Sequence, residues 1–176
     1  MIKYMDKYWL SNTGDNDGFW THEFNKHGTC VSTIDPSCIQ SYSAGAEVFA
    51  FVNATINLFN TLDSFKALKD ENIIPNSQLQ YNLSSVNEAL KKVTGVIPTV
   101  QCQSGGIKEI WYYFHVNGSI IDGDFKAFQS LGRSNCPSQV RFPPKKHHNS
   151  SVPTISNGTD SFLKNIYFFF FGRFLC

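Results

Sequence analysis

FWTHEFNKHGTC, residues 19–30, sets two histidines, a glutamate and a lysine within six consecutive positions and follows them with Gly28 and Cys30. Three readings of that density compete: a metal site, an acid–base site, or a charged helix face without a role. The zinc protease signature places histidines at i and i+4, on one helix face. Here His22 and His27 are five apart, about 140° around a helix that turns about 100° per residue, so a zinc site is a poor fit. The few cysteines also lack the close pairing of a structural zinc site.

The same geometry groups the charges differently. With His22 at the origin, Lys26 falls at about 40°, Glu23 at about 100° and His27 at about 140°. All four share less than half of the cylinder, and Phe19, at about 60°, lies among them. Trp20 and Phe24 fall beyond that arc, where a core-facing edge is expected. A solvated face seldom places an aromatic among its charges, whereas a site that stacks a base beside an anion-handling cluster would. Histidine, with an ordinary pKa of about 6.5, exchanges a proton near neutrality. Lysine supplies a fixed positive charge, and Glu23 can tune His27 one turn on. Such a set suits phosphoryl transfer, in which a proton leaves one oxygen while charge builds on others. An exposed amphipathic helix with incidental histidines remains the alternative.

Outward from this stretch, residues 1–10 read as the tail of a helix. SNTGDNDG reads as a turn, with Asp17 as N-cap of a short helix running to Lys26 and stopped by Gly28. Ser41 to Leu62 reads as a longer helix with Val48, Phe51, Val52, Thr55, Leu58, Phe59 and Leu62 on its apolar stripe. SFKALKDENI and SSVNEALKKVTG read as two more helices, the second ended by Gly95. VIPTVQCQ, IKEIWYYFHVNG, SIIDGDFKAF and SNCPSQVRF then read as strands, with Asn117-Gly118 as a tight hairpin turn. Helices first and antiparallel strands afterwards predict an α+β domain with helices packed on an antiparallel β-sheet. It is expected over 1–142, followed by a polar disordered linker over 143–161 and a short apolar tail over 162–176.

The chain has 176 residues and a formal net charge of +1, so no global basic field marks a polyanion partner. No apolar run approaches the roughly 20 residues of a spanning helix, and no membrane partner is expected. Lys3, Asp6 and Lys7 break up any secretory leader at the start. Yet Asn-x-Ser/Thr acceptors occur at Asn53, Asn82, Asn117, Asn149 and Asn157, which favours a secreted glycoprotein. Five cysteines, Cys30, Cys38, Cys102, Cys136 and Cys176, leave one thiol over in an oxidising compartment.

The opening stretch resembles the second active-site segment of the T2 ribonuclease family, His-Glu-(aromatic)-x-Lys-His-Gly-Thr-Cys. Cys38, eight residues after Cys30, is similar to fungal members, and IKEIWYYFHVNGSIIDGDF resembles the family's late strands. The resemblance covers residues 1 to about 142. It implies a metal-independent endoribonuclease without a cofactor that cleaves single-stranded RNA through a 2′,3′-cyclic phosphate, monomeric and secreted or vacuolar. By position, His27 would be the general base on the 2′-hydroxyl. Glu23 and Lys26 would stabilise the phosphorane, His22 would bind phosphate and Phe19 would contact a base. The 2′-hydroxyl requirement implies RNA rather than DNA. Cys102 and Cys136 would form the C-terminal disulfide.

The family's earlier segment, Trp-Pro-x-x-x-His-Gly-x-Trp-Pro, has no counterpart here, and neither do the upstream partners of Cys30 and Cys38. The remaining histidines are His115, in a strand, and His147-His148, in the linker. The expectation is therefore that the chain is the C-terminal two-thirds of a secreted enzyme, with Met1 internal and weak turnover at most. A catalytically dead ribonuclease fold that binds RNA or nucleotides is the second reading. A chain that fails to fold stably for want of two disulfides is the third.

Overall fold

The computed structural model describes residues 1–11, 13–129, 132–144 and the backbone of a two-residue strand, Phe169–Phe170. Five α-helices lie in the first 94 residues, with one strand between the last two: α1 (Ile2–Tyr8), α2 (Asn16–Lys26), α3 (Ala46–Thr61), α4 (Ser64–Asp70) and α5 (Leu83–Thr94). Three single 3-10 turns, Gly28–Cys30, Ser32–Ile34 and Pro36–Cys38, carry the chain from α2 toward α3. The strands are β1 (Asn76–Asn82), β2 (Thr99–Gln103), β3 (Gly106–Trp111), β4 (Tyr113–Asn117), β5 (Asp124–Ala127), β6 (Gln139–Phe142) and β7 (Phe169–Phe170). Gly95 caps α5 in the left-handed region, φ 85°, and its N–H bonds Lys91 O at 2.7 Å. This is the stop expected from sequence.

The α+β class holds, but the single antiparallel sheet does not. One sheet runs β1-β6-β3-β2 and the other β5-β4-β7. β6 pairs parallel with β3 at Gly106 and Arg141, and β7 pairs parallel with β4, so both sheets are mixed. IKEIWYYFHVNG is two strands, parted at Tyr112 and assigned to different sheets. The Asn117-Gly118 turn is corrected as well. Asn117 pairs with Asp124, so residues 118–123 form a longer loop, closed by the Gly123 N–H on Ser119 O. β1 was not expected. NSQLQYN is mostly exposed and alternates only briefly, at Leu79 and Tyr81, and its extension comes from antiparallel pairing with β6.

Two apolar clusters fill the interior. Leu68, Val86, Leu90, Val100, Ile110, Val140 and Phe142 gather α4 and α5 against the four-stranded sheet. Met5, Val31, Ile34, Phe51, Val52 and Ala54 gather α1, the 3-10 turns and α3. α3 belongs to both, since Leu58 lies in the first cluster and Phe51 in the second. Val48, expected on the apolar stripe, is exposed. The long helix starts at Ala46 rather than Ser41, because Ser41 and Gly45 both take positive φ.

Cys102 and Cys136 form a disulfide with a 34-residue separation. A closed loop of that size is worth about 3–4 kcal/mol in the chain-entropy account. Cys30 is free and exposed. Cys38 is disulfide-bonded, which corrects the expectation that it has no partner in this chain. The linker over 143–161 and the tail over 162–176, with His147-His148, lie outside the described residues apart from Pro143, Pro144 and the β7 backbone.

A buried hydroxyl pair joins the layers. Ser64 Oγ and Tyr112 Oη lie 2.8 Å apart, both almost fully enclosed, and burial pushes the Tyr112 phenol up to about 12. Tyr112→Phe should leave the Ser64 hydroxyl unpaired and cost about 1–3 kcal/mol in urea unfolding. Adding Ser64→Ala should recover part of that loss, and strict additivity of the two changes would contradict the pairing.

Candidate active site

α2 begins two residues earlier than the sequence suggests. Asp15, not Asp17, is its N-cap, with Oδ1 accepting from the Gly18 N–H at 2.9 Å. At the other end three of the last four carbonyls find a donor four residues on. The His27 N–H bonds Glu23 O at 2.9 Å, the Thr29 hydroxyl bonds Asn25 O at 2.7 Å, and the Cys30 thiol reaches Lys26 O at 3.5 Å. Most of the exposed carbonyl end of the helix is thereby satisfied, and Lys26 in the last turn complements its dipole.

Gly28 is buried directly beneath this end, and a Cβ there would overlap the Phe24 ring. Phe24 in turn meets Phe51 of α3 edge-on, ring centroids 5.8 Å apart. Trp20 and Phe24 both pack on the second core cluster, as their helical angles predict. With that face fixed, His22 and Lys26 are exposed and His27 is half-buried at the C-cap. Glu23, within the charged arc, is buried, at 8% exposure.

Electrostatics tie the four groups together. Burial raises the Glu23 carboxyl above its ordinary 4.5, while the positive charges of His22 and Lys26 oppose that rise. Burial lowers His27 below its ordinary 6.5, and the charges of Lys26 and His22 push it further the same way. His22 and Lys26 thus act on both buried neighbours. This coupling is the physical content of the grouping inferred from the helical angles.

Beside the cluster lies a groove of about 380 Å³ lined by Leu10, Ser11, Thr13, Asp15, Gly18, Phe19 and His22. Phe19 meets Trp9 edge-on, centroids 6.2 Å apart. Two hydrogen bonds hold the 9–15 segment on α2: the Trp20 indole N–H donates to Trp9 O at 2.7 Å, and Asn16 Oδ1 accepts from the Ser11 N–H at 2.9 Å. The structure brings Phe19 and His22 into one groove, whereas Glu23, Lys26 and His27 follow outside its lining. Ser11, Thr13 and Asp15 were missed by the sequence reading, which took SNTGDNDG only as a turn. A polar turn immediately before an aromatic-bearing helix was the available signal.

His115 is exposed on β4 and stacked on Phe128, centroids 3.9 Å apart with an interplanar angle of 20°. It serves a ring stack there. Among the described residues no group of three or more His, Cys, Asp or Glu side chains is arranged to hold a metal ion. No helix among them is long and apolar enough to cross a membrane.

A family model described as the Ribonuclease T2 family matches residues 1–136. Ribonuclease T2 of Aspergillus oryzae is 40% identical over 154 residues, 86% of this chain and 56% of its own length. Ribonuclease M of Aspergillus phoenicis is 43% identical over 149 residues, 82% of this chain and 63% of its own. Among solved structures, Actibind, a T2 ribonuclease, superposes with a TM-score of 0.80 at 41% identity, covering 83% of this chain and 63% of that one. The chain therefore spans between about half and two thirds of the length of these three relatives.

The charge coupling gives signed expectations. An imidazole NMR titration should place the His27 midpoint below 6.5, and Lys26→Met should raise it; an unchanged midpoint would break the coupling. Because His27 is depressed in the fold, its contribution to stability is complete above its ordinary pKa and is lost as pH falls through the folded value. Glu23 has the opposite sign. Its contribution is complete below the ordinary carboxylate value and is lost as pH rises through the raised one. Glu23→Gln should flatten that second dependence in melts recorded across pH 4–7.

Proposed function

The chain belongs to the ribonuclease T2 family, and we propose that α2 carries the phosphate-handling half of an endoribonuclease site. In this reading single-stranded RNA is cleaved by transphosphorylation, its own 2′-hydroxyl attacking the adjacent phosphorus to leave a 2′,3′-cyclic phosphate. His27 takes the 2′-hydroxyl proton. Burial and two neighbouring positive charges favour its neutral form, the form that can accept a proton. Lys26 and Glu23 act on the pentavalent phosphorane, Lys26 by charge compensation of its equatorial oxygens. His22 holds phosphate at the rim of the groove, and Phe19 offers a ring face to an unstacked base. RNA is the substrate because the nucleophile is the 2′-hydroxyl.

The observation that carries this reading is the electrostatic coupling of His22, Glu23, Lys26 and His27 beside a groove bearing an aromatic ring. Passage through the secretory pathway belongs to it as well, supported by the acceptor sites and the Cys102–Cys136 disulfide. Single-domain action as a monomer over residues 1–142 completes the proposal.

Incubation with a dinucleoside monophosphate, followed by chromatography for the cyclic phosphate, tests it. Weak turnover is expected, and His27→Ala should lower it by about 10²–10⁴-fold, the usual worth of general acid–base help. Tight nucleotide binding with no product, unchanged in His27→Ala, would instead make the chain a ribonuclease-fold binding protein.

A further inference from the structure

A second cleft, of about 620 Å³, lies away from α2, between the Glu71–Ile73 segment, the end of β1 and the start of α5. Its wall includes Asn82, the acceptor of an Asn-Leu-Ser triplet, together with Ser84 of the same triplet. We propose that Asn82 carries an N-linked glycan and that the first sugars of that glycan lie in this cleft. The inference rests on the secretory reading given above and adds to it which acceptor is used and what the cleft holds.

Several observations converge on Asn82. It is exposed and precedes α5 with extended backbone, φ −61° and ψ 128°. Its side chain does not cap the helix. Instead Oδ1 accepts from Gln139 Nε2, which orients the carboxamide and leaves Nδ2 as the end available for substitution. Leu83 between acceptor and hydroxyl is compatible with the triplet, which excludes only proline. In the step itself, Asn82 Nδ2 attacks C1 of a lipid-pyrophosphate-linked oligosaccharide. The N–C1 bond forms as the C1–O bond breaks, the lipid pyrophosphate leaves, and the Nδ2 proton passes to a base of the transferase.

The lining suits a carbohydrate. Glu71 and Glu88 offer carboxylate acceptors, Ser85 a hydroxyl and Lys92 an ammonium donor, a set able to meet hydroxyls that both donate and accept. Lys92 and Glu71 bridge across the cleft at 2.5 Å, giving it a charged rim. Tyr81 supplies an aromatic surface whose orientation is fixed by its hydroxyl, which donates to Ile74 O at 2.8 Å. Of the two other described acceptors, Asn53 lies within α3, and Asn117, which like Asn82 ends a strand in its ladder, does not line this cleft.

The full chain, secreted from yeast behind a cleavable leader, tests both parts whatever its native destination. Glycopeptide mass spectrometry should find hexose and N-acetylhexosamine on the Asn82 peptide. Ser84→Ala should abolish them while leaving the Asn82–Gln139 bond in place. Enzymatic removal of the glycan should speed acylation of Lys92 several-fold, with Lys69 and Lys108 as unaffected controls. A bare Asn82 beside a modified Asn53 or Asn117 would overturn the inference and leave the secretory reading standing. A secreted chain bare at every acceptor would also overturn it. A glycosylated Asn82 with unchanged Lys92 reactivity would overturn the seating in the cleft.

Discussion

Phe24 stands where a side chain at residue 28 would need to be, and that exclusion sets the rest of the site. With only hydrogen at Gly28, the chain turns tightly into a 3-10 turn directly after α2 and tucks the helix end against Phe51. The contact fixes the rotation of α2 about its axis. Once Trp20 and Phe24 face the core, the placement of His22, Lys26 and His27 follows from helical geometry alone. A bulkier residue at 28 would shift Phe24 and, with it, the direction in which each charged side chain points.

The cluster is poised by opposing forces rather than by close pairing. Glu23 is taken from water, which favours its neutral form, while two positive neighbours favour its charge. His27 meets no such opposition, because burial and both neighbours all disfavour its protonation. One helix thus supplies a carboxyl raised and an imidazole lowered, their proton affinities drawn toward each other. A fully solvated face would lack the burial that is the leading cause of both shifts.

The sequence made some of this legible and hid the rest for identifiable reasons. α5 could be read because its apolar residues repeat at helical spacing and Gly95 ends it in the left-handed region. The side-by-side placement of His22, Lys26 and His27 followed from angle alone. The burial of Glu23 did not, because an angular projection carries no information on how wide the opposing core is. β1 was invisible since Leu79 and Tyr81 are its only apolar residues, too short an alternation to read, and its extension is imposed by β6. The parallel contact of β3 with β6 joins residues 106 and 141, a separation at which local pattern is silent. The groove wall at Ser11, Thr13 and Asp15 looked like ordinary turn chemistry, since its meaning depends on Phe19 and His22 standing opposite.

α3 reaches both apolar clusters, with Phe51 in one and Leu58 in the other. A helix shared in this way acts as a common spar, so neither cluster can loosen without disturbing the packing of its neighbour. The sheet-bearing half and the half that seats α2 are therefore one cooperative unit. Amide protons in the middle of α3 should reach solvent only when the entire domain opens. The orientation of a few side chains on α2 is in this way underwritten by the stability of the four-stranded sheet at the far end of α3.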